Sequence, residues 1–412
     1  MASTRRRQVR VSALASLLPV VLLLGCSTTT GGGSAGGAAG GSAGDTAGVT
    51  ANEIHLGMSN ALTGPVAAVC LPASQGAQAW VDKVNSGGGV NGRKLVIDVL
   101  DDGSDAPRAA ANVRNLTNRG IFAMFGGCGT VSAAAISTAL RGTGVPYLFP
   151  YAALPALVEP PQGNVFSILP LYRDQAYTAI SHVVGGQPGG VYAITSQIPG
   201  FESTVKGVTA GTAAAGAPLI SSELLPATNA PVEQAAAKAG QQPMDYLAMT
   251  VLAPDAARLL NALAGSGHLP SKAVVGSSPL AAQSFAAAVA PTVAPLLRTL
   301  SPTVPAADPR AQDCVQALAQ YSPGTTPDAL ALFGCAAAQV LVNAIDHTGK
   351  QITRTGLVKA LEGLRNEQVS SLLPPLSFSP TKHVGLNSMF LLKLDAARQY
   401  QVADTVPLET AP

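Results

Sequence analysis

Short apolar runs alternate with longer amphipathic segments along most of the chain after residue 50. The runs "EIHLGMS", "RKLVIDVLDD", "IFAMF" and "VPYLFPY" predict four strands, with helices between them. Apolar residues recur about one turn apart in the first helix, at Val69, Ala73, Ala77, Trp80 and Val84. Asp105 is placed to cap the second helix, with Pro107 in its first turn.

A second alternation begins near residue 190, with strands predicted at "GGVYAIT", "PLISSELL", "DYLAMTVL" and "KAVVGSS". Helices are predicted between them, over 202–215, 232–239 and 254–264. Two further helical segments, 305–321 and 326–349, precede a last strand, "SMFLLKL". This order predicts an α/β fold with two doubly wound parallel sheets and helices on both faces of each.

Ligands of doubly wound sheets bind at the carboxyl ends of the strands. Three loops are predicted to meet there: "ALTGPVAAVC", "GGCGT" and "PYAAL". The glycines of "GGCGT" are not followed by the lysine that a phosphate-binding P-loop needs. The sequence therefore predicts a site for a small solute at these loops, and no nucleotide.

The N-terminus has the features of an export signal. Four arginines, Arg5 to Arg7 and Arg10, precede an apolar run over 11–25, which is too short to span a membrane. The run ends in "LLGC", which resembles a bacterial lipobox and predicts a lipid on Cys26. The alternative is that Cys26 merely ends an ordinary signal peptide. We expect a signal peptide over 1–25, a flexible Gly/Ser/Thr-rich tether over 26–50, and anchorage at the extracytoplasmic face of the cell membrane.

The net charge, the spacing of cysteines and histidines, and the context of one motif argue against several classes of function. The formal net charge is +2, and removing the four signal arginines leaves −2, which predicts no nucleic-acid partner. No C-x-x-C spacing occurs and the five histidines are scattered, which predicts no metal and no cofactor. "GGSAG" at 40–44 fits a serine-hydrolase pattern but lacks the strand and helix that this motif requires.

Four cysteines remain if Cys26 is lipidated, and they allow three pairings. An oxidising compartment favours two disulfides. Cys314 and Cys335 lie near each other in sequence on predicted helices, and pairing them leaves Cys70 with Cys128. The first pair would join adjacent helices and the second would brace the rim of the predicted site. Free buried thiols at Cys70 and Cys128 are the alternative.

Several segments together resemble one family: "ALTGPVAA", "VNSGGGVNGRKLVIDVLDDGSDAPRAAANVRNL", "GIFAMFGGCGT", "GVPYLFP" and "LFGCAAAQVLVNAI". They are similar to the leucine/isoleucine/valine-binding receptors of ABC importers, which have the type I periplasmic binding protein fold. The resemblance implies two lobes joined by hinge crossings near 168–172, 298–303 and 371–378. The first lobe would comprise 51–168 and 304–370, and the second 172–298 and 379–405.

The resemblance also implies which residues contact the ligand: Val69, Cys128, Gly129, Thr130, Tyr151, Ala152 and Ala153 from the first lobe, and Phe201 (or Gly200), Leu252 and Ser278 from the second. Members of the family place an acidic residue, which receives an α-ammonium, where this chain has Ser278. A buried ammonium without a carboxylate is costly. We therefore expect a carboxylate or neutral solute, although Glu202 keeps an amino acid possible.

These features predict a monomeric receptor that captures a small solute in a crevice beside Thr130 and delivers it to ABC permease subunits. The lobes would close on the ligand, and no bond is made or broken, so no enzyme is predicted. The alternative is a sensor or scaffold lipoprotein of the same fold that is not coupled to transport.

Overall fold

The computed structural model describes residues 45–64 and 66–412. The signal peptide, Cys26 and residues 26–44 of the tether lie outside these residues, so the lipid anchor stays a prediction. Residues 45–50, assigned above to the tether, are in contact with the fold. The Asp45 carbonyl accepts a hydrogen bond from Arg354 N at 2.8 Å, and Val49 forms an antiparallel bridge with Ile54.

Five parallel strands form the first sheet, in the order β2-β1-β3-β4-β5. Their bounds are β1 Glu53–Asn60, β2 Lys94–Asp101, β3 Ala123–Phe125, β4 Tyr147–Leu148 and β5 Val165–Phe166. β1 pairs with both β2 and β3. The loops that follow β1 and β3 are therefore neighbours, as the sequence predicts for a doubly wound sheet.

The helices between these strands are α1 Ala67–Ser86, α2 Ala106–Asn118, α3 Thr130–Ala139 and α4 Pro155–Val158. The predicted cap of α2 is confirmed, because the Asp105 carboxylate accepts a hydrogen bond from Arg108 N at 2.8 Å. α3 starts at Thr130, so the end of the "GGCGT" loop is also the first turn of a helix.

The second sheet has seven strands, in the order β12-β11-β10-β9-β8-β6-β7. Their bounds are β6 Val191–Ser196, β7 Leu219–Leu225, β8 Tyr246–Thr250, β9 Ala273–Gly276, β10 Leu297–Ser301, β11 Ser388–Leu394 and β12 Tyr400–Pro407. β6 to β10 are parallel, which confirms the predicted fold class. β11 runs antiparallel to β10 at the edge of this sheet. β12 runs antiparallel to β11, because the short connection over 395–399 can join only antiparallel strands.

The helices of this half are α5 Tyr172–Gly185, α6 Thr204–Ala214, α7 Val232–Gly240, α8 Ala253–Ser266 and α9 Gln283–Ala288. Three more follow β10: α10 Gln312–Tyr321, α11 Ala329–Asp346 and α12 Arg354–Gly363. α11 is long and apolar enough to cross a membrane, but most of it is buried in the core of this fold.

α11 packs directly on α1, so this later part of the chain belongs to the same half of the molecule as the first sheet. A Cβ on Gly76 would lie 1.9 Å from the Ala331 carbonyl oxygen, and one on Gly334 would lie 1.8 Å from the Ala73 carbonyl oxygen. Only glycine fits at these two positions, because the helix backbones touch there.

Three segments pass between the two sheets, after β5, after β10 and before β11, and they lie side by side. Ser167 N donates to the His383 carbonyl and Gly385 N donates to the Ser167 carbonyl, both at 2.9 Å. Val304 N donates to the Leu372 carbonyl at 3.0 Å. The described chain clusters as one compact unit, and the lobe boundaries inside it stay predictions.

Candidate functional site

The loop after β3 is built from backbone that only glycine adopts easily. Gly126, Gly127 and Gly129 have φ of 64°, 84° and 101°. A Cβ on Gly127 would lie 2.6 Å from the Ser59 carbonyl oxygen at the end of β1. The loops that follow β1 and β3 are therefore in close contact, and Thr130 is the first residue of α3.

The loops after β3 and β4 are joined by a parallel bridge between Cys128 and Tyr151. Tyr151 N donates to the Gly127 carbonyl at 2.8 Å, and Gly129 N donates to the Tyr151 carbonyl at 3.3 Å. Ala152 and Ala153, which follow Tyr151, are both buried. The structure thus brings together the predicted residues of these two loops.

A disulfide joins the same loop to the start of α1. Cys70 and Cys128 are bonded, with 5.3 Å between their Cα atoms, and both are buried. Val69 and Tyr151 pack against this pair. Cys314 is bonded to Cys335, with 6.3 Å between Cα atoms, and joins α10 to α11. Both predicted pairings are confirmed, and the alternative of free thiols at Cys70 and Cys128 is wrong.

The loop after β6 of the second sheet contacts the loops of the first. Gly200 has φ of 93°, and a Cβ there would lie 3.2 Å from both the Ala153 carbonyl oxygen and Leu154 Cβ, and 3.4 Å from Thr130 Cγ2. Thr130 is 7 % exposed. The two sheets therefore meet at the predicted site, and Gly200 covers Thr130 in this structure where the sequence predicts a crevice.

Phe201 follows Gly200 and is buried against Tyr172, with 4.6 Å between ring centroids and an interplanar angle of 72°. Leu252 is half-buried at the N-terminus of α8, directly after β8. Glu202 is exposed. Phe201 therefore lies in the contact region beside Gly200, whereas Leu252 is positioned by a separate strand end.

Ser278 is 2 % exposed at the end of β9, and its backbone is fixed by Gln175. Ser278 N donates to Gln175 Oε1 at 3.1 Å, and Gln175 Nε2 donates to the Pro170 carbonyl at 2.8 Å. Ser278 Oγ has no hydrogen-bond partner of standard geometry among residues 45–64 and 66–412. Ser278 acts against the rise in the pKa of the Tyr151 phenol that burial causes.

Burial dominates the electrostatics of this region. It raises the pKa of the Tyr151 and Tyr172 phenols, so both stay protonated donors at neutral pH. Tyr151 also packs edge-on against Phe333, with 4.9 Å between ring centroids. A cavity of about 10 Å³ is lined by Gly127, Tyr151 and Phe333 and is too small to hold more than a single water.

Asp328 is an acidic residue of this region that the sequence did not single out. Its carboxylate caps α11 and accepts hydrogen bonds from Leu330 N and Ala331 N, both at 3.0 Å. Burial raises the pKa of this carboxyl, and its charge acts on Tyr151. "TPD" before an apolar run is a recognisable capping pattern, but nothing local indicates that the cap approaches Tyr151.

Tyr172 and Gln175 are two further residues of this region that were not predicted from the sequence. They occupy the first turn of α5, where their spacing indicates only a buried helix face. Their partners Phe201 and Ser278 are 29 and 103 residues away in sequence, and only the fold brings them close.

A sequence model of the periplasmic binding protein family matches residues 53–399. The Leu/Ile/Val-binding protein BraC3 of Rhizobium johnstonii is 30 % identical over 132 residues, which are 32 % of this chain and 36 % of that protein. The chain thus matches about a third of the length of this curated relative.

Two solved structures show the same fold. A fatty acid ABC transporter substrate-binding protein from Thermomonospora curvata superposes with a TM-score of 0.78 at 18 % identity, covering 89 % of this chain and 96 % of that one. A branched-chain amino acid ABC transporter protein from Thermus thermophilus with bound valine gives 0.77 at 15 % identity, covering 87 % and 97 %. The resemblance drawn from the sequence is confirmed: the chain belongs to the periplasmic binding protein family.

Proposed function

We propose that this protein is an exported, lipid-anchored receptor that captures a small solute between its two sheets and delivers it to an ABC importer. One observation carries the proposal: Gly200 lies against Thr130 and Ala153 across the contact between the two sheets. Family membership supports the role in solute binding. The lipid on Cys26 and the permease partner rest on the sequence and on the relatives.

The solute that fits best is a carboxylate or a neutral molecule with an apolar body. Thr130 and the N-terminus of α3, which has no side-chain cap, suit a carboxylate, whereas the N–H groups of Gly126 and Gly129 are already used by the neighbouring strand and loop. An α-ammonium would need a free acid, but Ser278 stands where relatives carry one, and Glu202 is exposed. Asp328 already accepts two backbone hydrogen bonds, and its raised pKa disfavours the ionised form.

The test uses two molecules that differ only in the ammonium: leucine and 4-methylpentanoate. Calorimetry and thermal unfolding of the full chain are expected to detect 4-methylpentanoate or a longer fatty acid such as palmitate, and not leucine. Thr130→Val should weaken carboxylate binding about tenfold by removing one donor to a charged group. Thr138→Val, on the exposed face of the same helix, is the matched control and should bind normally.

Tight leucine binding would reject this ligand class while leaving the receptor role intact. Uptake of the bound solute by cells with and without the protein separates transport from the alternative of an uncoupled sensor or scaffold. Binding without any change in uptake would favour the sensor. Membrane fractionation of Cys26→Ser tests the anchor, since this variant should be released into the soluble fraction.

A further inference from the structure

A second cavity lies outside the site described above, on the face of the first half where α1, α10 and α11 meet residues 368–371. It is a groove of about 510 Å³, within the range of sites for small molecules. Trp80 of α1 lines it about 15 Å along the helix axis from Cys70, so it is separate from the loops around Thr130.

The floor of the groove is one face of α11. Gln339 and Asn343, four residues apart, both line it, and Gln339 is 8 % exposed. Asn343 Oδ1 is buried and has no hydrogen-bond partner within the described ranges of the chain. A buried acceptor without a partner is costly, and a ligand hydroxyl or amide in the groove would satisfy it.

The other walls are also polar but carry little free charge. Asn91 and Gln368 add two further amide oxygens, because their amide nitrogens already donate to backbone carbonyls, and Ser370 adds a hydroxyl. Asp313 and Asp346 are carboxylates of the lining, which contains no lysine or arginine. An anionic ligand is therefore disfavoured by repulsion.

A cationic ligand would compete with a residue of the chain itself. Lys83 Nζ lies 4.5 Å from the centroid of the Trp80 ring and 3.5 Å from Asp313 Oδ1. Lys83 thus already provides a cation for the Trp80 ring and for the Asp313 carboxylate. What remains is a set of amide donors and acceptors beside an aromatic surface, which suits a neutral ring that carries several hydroxyl groups.

We propose that this groove, defined by Trp80, Gln339, Asn343 and Gln368, is a binding site for a neutral saccharide unit, either free or within a surface glycan. Hydroxyl groups of the sugar pair with the Gln339 and Asn343 amides, and its apolar part contacts the portion of the Trp80 side chain that lines the groove and is not covered by Lys83. The site is independent of the solute site proposed above and does not require it.

The protein reports on this site directly, because Trp80 is its sole tryptophan. Emission of Trp80 and calorimetry are measured with cellobiose and trehalose as free sugars, fully N-acetylated chitotetraose as a neutral glycan fragment, and putrescine as a cation. We expect saturable binding of at least one saccharide, with a change in Trp80 emission. Cellobiose or trehalose binding identifies a free sugar, and binding of chitotetraose alone identifies a glycan.

Asn343→Leu and Gln339→Leu should each weaken saccharide binding about tenfold or more, whereas Asn115→Leu, on the exposed face of α2, should not. If a leucine variant fails to fold, Gln339→Glu serves instead, because it keeps the size of the side chain and replaces the amide donor by a carboxylate oxygen. This variant should also weaken binding. The proposal is overturned by an absence of both heat and emission change, by a response to putrescine alone, or by unchanged affinity in the folded variants.

Discussion

The two sheets face each other through their carboxyl-end loops, but they position those loops by different means. On the first sheet, the glycine backbone, the Cys128–Tyr151 bridge and a disulfide fix the loop after β3. On the second sheet, side chains far apart in sequence do this, through the Tyr172–Phe201 ring contact and Gln175. Substitutions should therefore affect folding most on the first side, and the choice of solute most on the second.

The largest effect is expected where the two sides touch. Gly200→Val adds a branched side chain at positive φ and at 3.2 Å from the first sheet, at a cost of about 3–5 kcal/mol. Because the closed contact becomes unfavourable, small-angle scattering should show a larger radius of gyration. Gly216→Val is the matched control, since Gly216 also has positive φ but no atom within 4 Å. Gly216→Val should lower the stability of the protein without changing its radius of gyration. An unchanged radius of gyration in Gly200→Val would show that this contact does not hold the two sheets together.

The next effect concerns the covalent brace of the first side. Replacing Cys70 and Cys128 together by alanine should lower the free energy of unfolding by about 2–4 kcal/mol. It should also speed hydrogen exchange at the Gly129 amide, because the loop loses its tie to α1. The double alanine variant at Cys314 and Cys335 should lower stability but leave this amide protected. Equal exchange rates in the two variants would show that the bridge and the glycines alone fix the loop.

A smaller effect is expected on the second side at Gln175. Gln175→Leu leaves Ser278 N and the Pro170 carbonyl without their partner inside the protein, which should cost about 1–3 kcal/mol in urea unfolding. Gln187→Leu, at an exposed position just after α5, is the control and should be nearly neutral. A loss of the same size in both variants would mean that the buried amide adds nothing specific.

The smallest effect is a pH dependence on the first side. The hydroxyl of Thr63 lowers the pKa of the Asp101 carboxyl to about 2, helped by the backbone N–H groups of Leu62, Thr63 and Gly103. Because the pKa of Asp101 is lower in the folded protein than in the unfolded chain, its carboxylate stabilises the fold at pH values above about 4. This stabilisation is lost as the pH falls from about 4 to about 2.

Solvent exposure reduces the expected contribution to about 1 kcal/mol. The stability difference between the wild-type protein and Asp101→Asn should therefore shrink across that window, as measured by urea unfolding at several pH values. Thr63→Val removes the largest cause and should show part of the same change. A difference that is constant with pH would rule out the carboxylate as its source.

Much of the first sheet was predictable because its signals are local. β1, β2 and the Asp105 cap of α2 follow from apolar runs and one capping residue. β4 and β5, two residues each, have little pattern of their own, and β5 was not predicted. β10 and β12 were missed too, because their pairing with β9 and β11 decides their structure more than their composition does.

The candidate site divides in the same way. Gly129 and Thr130 were identifiable because a glycine-rich turn after an apolar run has a local cause, which is the positive φ that only glycine adopts easily. Asp328, Tyr172 and Gln175 were not, since each is an ordinary helix residue until its distant partner is known.

The sequence by itself determined most of the alternation of strands and helices, the glycine loop at a strand end, and a set of four cysteines with three possible pairings. These are consequences of neighbouring residues and of short-range backbone sterics. Only the tertiary structure decided that Gly200 covers Thr130, that Gln175 fixes Ser278, and that Asp328 approaches Tyr151. Those contacts join residues from separate elements, and their energies depend on burial that no local pattern encodes.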